Sequence, residues 1–405
     1  MKKKIFFCLI VLFVVCVNIV YADDAIEEEL SDIEIGEVLE TASSVDELKI
    51  NSRIAVVYDR ASKNIVWGKD ENKRTAMAST TKIMTAIVVI ENAALDDTVK
   101  ISAKAACTGG SRLGLKKDDK ISLRDLLYGL MLKSGNDAAV AIAEHVGGSV
   151  PAFANMMNEK AKALKLVDSH FTSPHGLDNP EHYTTAYELA KITDYALKNE
   201  TFRKIVGTKN YTVTINGYPK NINNTNELLG VLDGVYGVKT GFTNNAGRCL
   251  VTAIKKEGMD LIVIVIKADT KKDRTRDSVD IINYIIKNYE SVDIKDTVQN
   301  EFEKWCLMNK KRFTIEKARN KDFTIGRENL KNERIIIKKT DIDNINVEFN
   351  AIYYFSAPVE KDTILGEMKI FVKDNLIEID KLFFNENIEK NNIYDYFFKC
   401  LKCFK

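Results

Sequence analysis

Histidine is scarce in this 405-residue chain, which holds four: His145, His170, His175 and His182. No two have the spacing of a zinc-binding helix and no cysteine cluster stands beside them, which argues against a metal centre or a histidine triad. His175, in Ser173-Pro174-His175-Gly176, is expected to be structural. The seven cysteines lack a regular spacing. Cys8 and Cys16 fall in an amino-terminal apolar run without the small neighbours that lipidation would need. An odd number remains beyond that run, which argues against a disulfide framework. Cys107 and Cys249 read as small buried residues, not as thiol nucleophiles. Asp23 to Glu47 lacks any basic or aromatic residue and carries eleven acidic ones. Residues 23–47 are therefore expected to form a disordered acidic spacer, with a single docked helix as the alternative.

The formal net charge of +1 hides a division, because the chain after Glu47 is basic. A positive body suits an anionic membrane surface and wall polymers as counter-surfaces. Export makes nucleic acid an implausible partner: Lys2, Lys3 and Lys4 precede an apolar stretch from Ile5 to Val20, and Val20-Tyr21-Ala22 offers a cleavage site. Residues 1–22 read as a secretory signal peptide, with a retained anchor as the competing reading. The length and the 45% hydrophobic content allow two domains with separate cores.

Three polar clusters recur in order: Ser79-Thr80-Thr81-Lys82, Ser134-Gly135-Asn136 and Lys239-Thr240-Gly241. Ser79 opens the apolar run IMTAIVVIENAAL, read as a buried helix, and residues at i and i+3 share a helix face. Lys82 therefore reaches the Ser79 hydroxyl, which is a weak nucleophile without a base. An ammonium becomes a base only when burial or a nearby cation lowers its pKa, and Lys239 is the candidate cation. At a helix start, the Ser79 N–H also faces a developing oxyanion. The second cluster joins two apolar helical runs, so a tight break directs its side chains into a cleft. Ser134 suits proton relay, and the Asn136 amide offers both donor and acceptor to a peptide group. VYGVKTGFTNN, AGRCLVTAIKK and MDLIVIVIKA read as successive antiparallel strands. Gly241 is expected to leave room for an extended peptide alongside its strand. Each cluster alone is a weak signal; the ordered conjunction points to serine acyl transfer.

The segments MASTTKIMTAIVVIE, LLYGLMLKSGNDAAVAIAEHVGGS, FTSPHGLD and GVKTGFTNNAGRCLVTA resemble the D-alanyl-D-alanine carboxypeptidases among the low-molecular-mass penicillin-binding proteins. The likeness runs from about Ser52 to the end of the chain. It implies an α/β (α+β) penicillin-recognising, β-lactamase-like catalytic domain with an antiparallel sheet flanked by helices, plus a small β-rich carboxy-terminal domain. It also implies that Ser79 forms the acyl-enzyme, that Lys82 is the general base, and that Ser134 and Asn136 complete the proton network. Lys239 would bind substrate and tune Lys82. The backbone N–H of Phe242, where relatives often carry histidine, would complete the oxyanion hole. An ungapped count from Lys239 puts Arg274 beside the peptide's terminal carboxylate with Thr240, a role suited to a planar guanidinium. Arg248 is a poorer candidate because it starts a strand. The resemblance further implies no cofactor, the peptidoglycan pentapeptide stem as substrate, acylation by β-lactam antibiotics, and work at the outer face of the cytoplasmic membrane.

The catalytic domain is expected over 48–290 and a β-rich domain without catalytic residues over 291–386. In residues 387–405, Ile393, Tyr396, Phe397, Cys400 and Phe404 fall on one helical face, opposite Lys399, Lys402 and Lys405. That pattern suits an interfacial membrane helix or a packed terminal helix. A class A β-lactamase is the first competing function, but no Glu-x-x-x-Asn pattern follows Asn136 to activate a deacylating water. A catalytically silent wall sensor is the second.

Overall fold

The computed structural model describes residues 32–41, 48–320 and 322–397. They form two compact units: the chain up to Tyr58, Trp67–Lys255 and Leu261–Tyr284 in one, and Asp59–Val66, Lys256–Asp260 and the chain from Ile285 in the other, so that the last division falls between Tyr284 and Ile285. The expected boundary at 290 lies beyond this division, which falls inside the helix Lys271–Asn288.

In the first unit, strands β1 (Ile54–Asp59), β2 (Ile65–Lys69), β7 (Val235–Thr243), β8 (Gly247–Lys256) and β9 (Met259–Ala268) make one sheet in the order β2-β1-β9-β8-β7. A second sheet, β3-β4-β5-β6, comprises β3 (Thr98–Lys100), β4 (Lys120–Ser122), β5 (Asn210–Ile215) and β6 (Tyr218–Asn223). β7 and β8 pair antiparallel, with Lys239 opposite Val251 and Phe242 opposite Arg248. β1 is buried along its whole length and β9 at all but Asp260 and Lys267, which matches the apolar runs IAVVY and LIVIVI that they contain.

The sequence places its most apolar helix at the centre. Residues Lys82 to Val89 of the helix Lys82–Asn92 are all buried, so the helix sits inside the unit with no solvent face at its amino-terminal end. Around it, Leu123–Leu132 and Asn136–Gly147 are joined by the expected break, with Ser134 at φ +59° in the left-handed region. Ser122 caps the first of these two helices through the Asp125 N–H.

Three expectations change. The acidic spacer is a helix over Asp32–Thr41, with Ile35 and Val38 buried and Glu37 3.0 Å from Lys272. Its apolar positions recur at helical spacing, and burying two such side chains is worth up to about 1.5–3 kcal/mol each. Cys249 is buried as expected, whereas Cys107 is exposed at the end of the short helix Ala103–Ala106. Gly241 faces the Ser79 backbone, as described below.

The second unit is β-rich as expected but also contains the helix Lys295–Asn309. Val298, Phe302 and Trp305 of that helix join a core with Leu365, Met368, Ile370, Leu382 and Phe384 of the sheet. Trp305 stacks on Phe349, with ring centroids 4.9 Å apart. Buried among these apolar groups, Asp380 has its carboxyl pushed up to about 7, first by desolvation and then by the neighbouring Glu378. Residues 393–397 are helical with Ile393, Tyr394 and Phe397 exposed; the remainder of the expected terminal helix lies outside the described residues. The proposed signal peptide also lies outside them. Among the described residues, no helix is long and apolar enough to cross a membrane, and no group of His, Cys, Asp or Glu could hold a metal.

Candidate active site

Ser79 lies in a 3₁₀ turn, Ala78–Thr81, that leads directly into the central helix. Ala78 adopts φ +47°, an uncommon conformation for a residue with a Cβ. An internal hydrogen bond and two neighbours, His182 and Gly176, hold this strained turn in place. The Thr81 hydroxyl donates to the Ala78 carbonyl at 2.8 Å, and His182 Nε2 lies 2.8 Å from the same hydroxyl. The other ring nitrogen of His182 accepts from the Thr172 N–H at 3.0 Å, so Nε2 carries the proton. Burial holds the His182 imidazole down at about 4, which keeps this neutral tautomer. Gly176 passes beneath, where any side chain would collide with the Ala78 carbonyl.

Lys82 is fully buried, and its Nζ gathers the first two clusters. It lies 2.6 Å from Ser79 Oγ, 2.7 Å from Asn136 Oδ1, 3.2 Å from the His175 carbonyl and 3.4 Å from Ser134 Oγ. Asn136 Oδ1 and the His175 carbonyl are acceptors only, so they take two N–H bonds from the amine. A neutral amine would then turn its lone pair toward a serine hydroxyl. What the structure bears out is the proximity that the i, i+3 spacing of Ser79 and Lys82 had suggested.

The Asn136 amide differs from its expected use. Its oxygen accepts from Lys82 and its nitrogen donates to the Gly109 carbonyl at 2.9 Å, so both ends of the amide are engaged within the protein. Asp137, adjacent in sequence and fully buried, accepts from the backbone N–H groups of Leu113, Gly114 and Leu115 and so ties that loop to the Ser134-Gly135-Asn136 break.

The third cluster runs along β7. A Cβ on Gly241 would stand 3.1 Å from the Ser79 nitrogen and 3.2 Å from the Thr80 nitrogen, so glycine permits the close approach of strand and turn. Gly241 thus makes room for the nucleophile's own backbone. Lys239 and Thr240 are buried, and Lys239 Nζ donates to the Thr240 carbonyl at 2.9 Å. Phe242 follows, with the Arg248 guanidinium 3.9 Å from its ring centroid, a cation–π stack. Arg274 is completely buried and pairs with Glu227.

Beyond the structural role expected of His175, sequence reasoning missed the supports. His175 contributes its backbone carbonyl to Lys82, while burial pushes its imidazole down to about 3. Asp178 accepts from Thr243 Oγ1 at 2.6 Å and from the Asn245 N–H at 3.0 Å, tying the Ser173–Asp178 segment to the end of β7. Thr225 Oγ1 lies 2.7 Å from Thr240 Oγ1. The segment FTSPHGLD carried the first two of these signals; nothing local marks Thr225 or Glu227.

Residues 40–270 match the family model described as D-alanyl-D-alanine carboxypeptidase. D-alanyl-D-alanine carboxypeptidase DacF of Bacillus subtilis is 33% identical over 330 residues, covering 80% of this chain and 82% of the relative. The crystal structure of the D-alanyl-D-alanine carboxypeptidase DacD from Francisella tularensis superposes with a TM-score of 0.69 at 26% identity, over 87% of this chain and 98% of that one. The Streptomyces K15 DD-transpeptidase structure gives a TM-score of 0.57 at 36% identity, over 59% of this chain and 98% of that one. The match over more than half the chain, together with the serine and lysine in hydrogen-bond contact, shows that the chain belongs to the D-alanyl-D-alanine carboxypeptidase family of serine peptidases.

Proposed function

We propose that this serine carboxypeptidase removes the terminal D-alanine from peptidoglycan stem peptides at the outer face of the cytoplasmic membrane. The observation that carries the reading is the 2.6 Å contact of Lys82 Nζ with Ser79 Oγ, held by Asn136 Oδ1 and the His175 carbonyl. Ser79 Oγ attacks the carbonyl between the two D-alanines, and its proton passes to the neutral Lys82 amine. The oxyanion is received by the backbone N–H groups of Ser79 and Phe242. The C–N bond breaks as a proton moves through Ser134 to the leaving amine, and D-alanine departs. Water, activated by the same amine, hydrolyses the ester and restores the Ser79 hydroxyl.

Lys239 contributes positive charge to the substrate side of the site, and Thr240 with Arg274 receives the terminal carboxylate. A β-lactam, whose amide and carboxylate imitate the scissile end of the peptide, acylates Ser79. Residues 1–22 direct export, and the aromatic face of residues 387–405 holds the enzyme at an anionic membrane surface.

The test is D-alanine release from diacetyl-Lys-D-Ala-D-Ala by the chain lacking residues 1–22, beside Ser79→Ala. Release that vanishes in the variant is expected. Absence of release from the parent, with β-lactam still labelling Ser79, would make the protein a binding or sensing relative.

A further inference from the structure

Two contacts assigned above to the terminal carboxylate are tied to one short segment, Thr225-Asn226-Glu227. Thr225 Oγ1 lies 2.7 Å from Thr240 Oγ1. Two residues on, Glu227 Oε1 accepts from Arg274 Nη2 and from Thr275 Oγ1. The segment is itself fixed: the Thr225 N–H donates to the Leu132 carbonyl at 3.1 Å, and Asn226 Oδ1 accepts from the Leu228 N–H at 3.2 Å. Arg274 is 0% exposed and the Glu227 side chain 7%, so both charges are out of water. Such a guanidinium requires an anion, and the protein supplies one of its own. Glu227 Oε2 is buried with no hydrogen-bond partner, so this carboxylate meets only part of its bonding capacity.

An arriving carboxylate therefore meets a guanidinium whose charge is already opposed. We propose that Glu227 is a specificity-determining residue: an internal carboxylate that competes with the peptide's terminal carboxylate for Arg274 and so sets how strongly the site prefers a free carboxylate. The inference rests on the reading that Thr240 and Arg274 receive that group. Its chemistry is simple. With Glu227 ionised, the pair is close to neutral; with the charge removed and the oxygen acceptor retained, the field of the buried Arg274 acts uncancelled on a carboxylate held at Thr240. The same competition eases departure of D-alanine, which carries its carboxylate away from the site.

The experiment compares kcat/KM for diacetyl-Lys-D-Ala-D-Ala with that for the same peptide ending in an amide, in the parent, Glu227→Gln, Glu227→Asp and Arg274→Gln. Glu227→Gln keeps an acceptor oxygen for Arg274 and Thr275 and is expected to raise the acid-to-amide ratio about tenfold, the scale of one like charge removed nearby. Glu227→Asp keeps the charge and is expected to hold the parent ratio. A purely structural role would lower both substrates together and leave the ratio unmoved, which would overturn the inference. If Arg274→Gln abolishes the preference while Glu227→Gln does not alter it, the inference alone fails. If Arg274→Gln leaves the preference intact, the carboxylate reading itself falls and the inference with it.

Discussion

A Cβ added to Gly176 would stand 2.0 Å from the Ala78 carbonyl oxygen and 2.4 Å from Thr81 Oγ1. Gly176 also sits at φ +87°, a conformation that glycine adopts without cost. Two independent constraints thus fix one residue beneath the turn that presents Ser79. The backbone obstacle cannot move aside as a flexible side chain would.

Gly176→Ala is accordingly expected to displace the Ala78–Thr81 turn and slow acylation of Ser79 by about 100-fold, the scale of a small misplacement of reacting groups. Labelling of Ser79 by a fluorescent penicillin measures it. Acylation within a factor of three of the parent would mean that the turn tolerates displacement.

The lysine contact leads to a second expectation. Lys82→Arg keeps a positive charge but introduces a group that does not deprotonate in proteins, and acylation should fall by at least about 100-fold. Lys82→Met, of similar length and uncharged, should fall equally. Near-parent labelling in either variant would remove Lys82 from the role of base.

The three polar clusters were legible because each sits at a change of pattern: a helix start, a break between helices and an apolar strand. Ser79 and Lys82 follow from helical spacing alone, and the 2.6 Å contact is what that spacing gives. The long-range partners of the Ser79 turn were not legible. Gly176 is needed because of Ala78, 98 positions earlier in the chain, and His182 reaches Thr81 across 101 positions. No local signal encodes such a pairing. The Asp32–Thr41 helix was obscured for another reason: its acidity suggested solvation, while the decisive fact is that Ile35 and Val38 find an apolar surface. Gly241 was assigned to the substrate because its strand suits peptide pairing, whereas its nearest neighbour is the Ser79 backbone.

His182 connects the site to pH. Its folded pKa of about 4 lies below the ordinary 6.5, so the unfolded chain binds more protons between these values and stability must rise with pH across that window. The contribution is complete above about 6.5 and declines as pH falls toward 4, on the order of 3 kcal/mol in all. His182→Gln should reduce the slope of unfolding free energy against pH in this window, leaving the share that His175, pushed down to about 3, contributes with the same sign. An unchanged slope would show that His182 does not titrate in that window.

Asp380 in the second unit has the opposite sign. Its folded pKa of about 7 lies above the ordinary value of 3.8, so the folded state holds the extra proton and stability declines as pH rises from about 4 through 7. Arg327 Nη1, 3.8 Å from Asp380 Oδ2, offsets only part of the desolvation. Asp380→Asn should raise the melting temperature of this unit at pH 8 while leaving it near the parent at pH 4. Equal effects at both pH values would assign the change to packing and not to ionisation.

The acidic helix gives the last expectation. Ile35 and Val38 are its described buried residues, and Glu37 reaches Lys272 at an exposed site where an ion pair adds little. Docking should therefore depend on apolar contact more than on the acidity that dominates the sequence. Ile35→Asp places a charge in that contact and should speed amide exchange over residues 35–39. The loss is limited to the docking free energy, up to about 3 kcal/mol for one such side chain, because the helix can detach without unfolding the sheet. Glu37→Gln should change exchange by less than about threefold, in keeping with the small value of an exposed pair. If Glu37→Gln freed the segment and Ile35→Asp did not, charge would be what holds the helix.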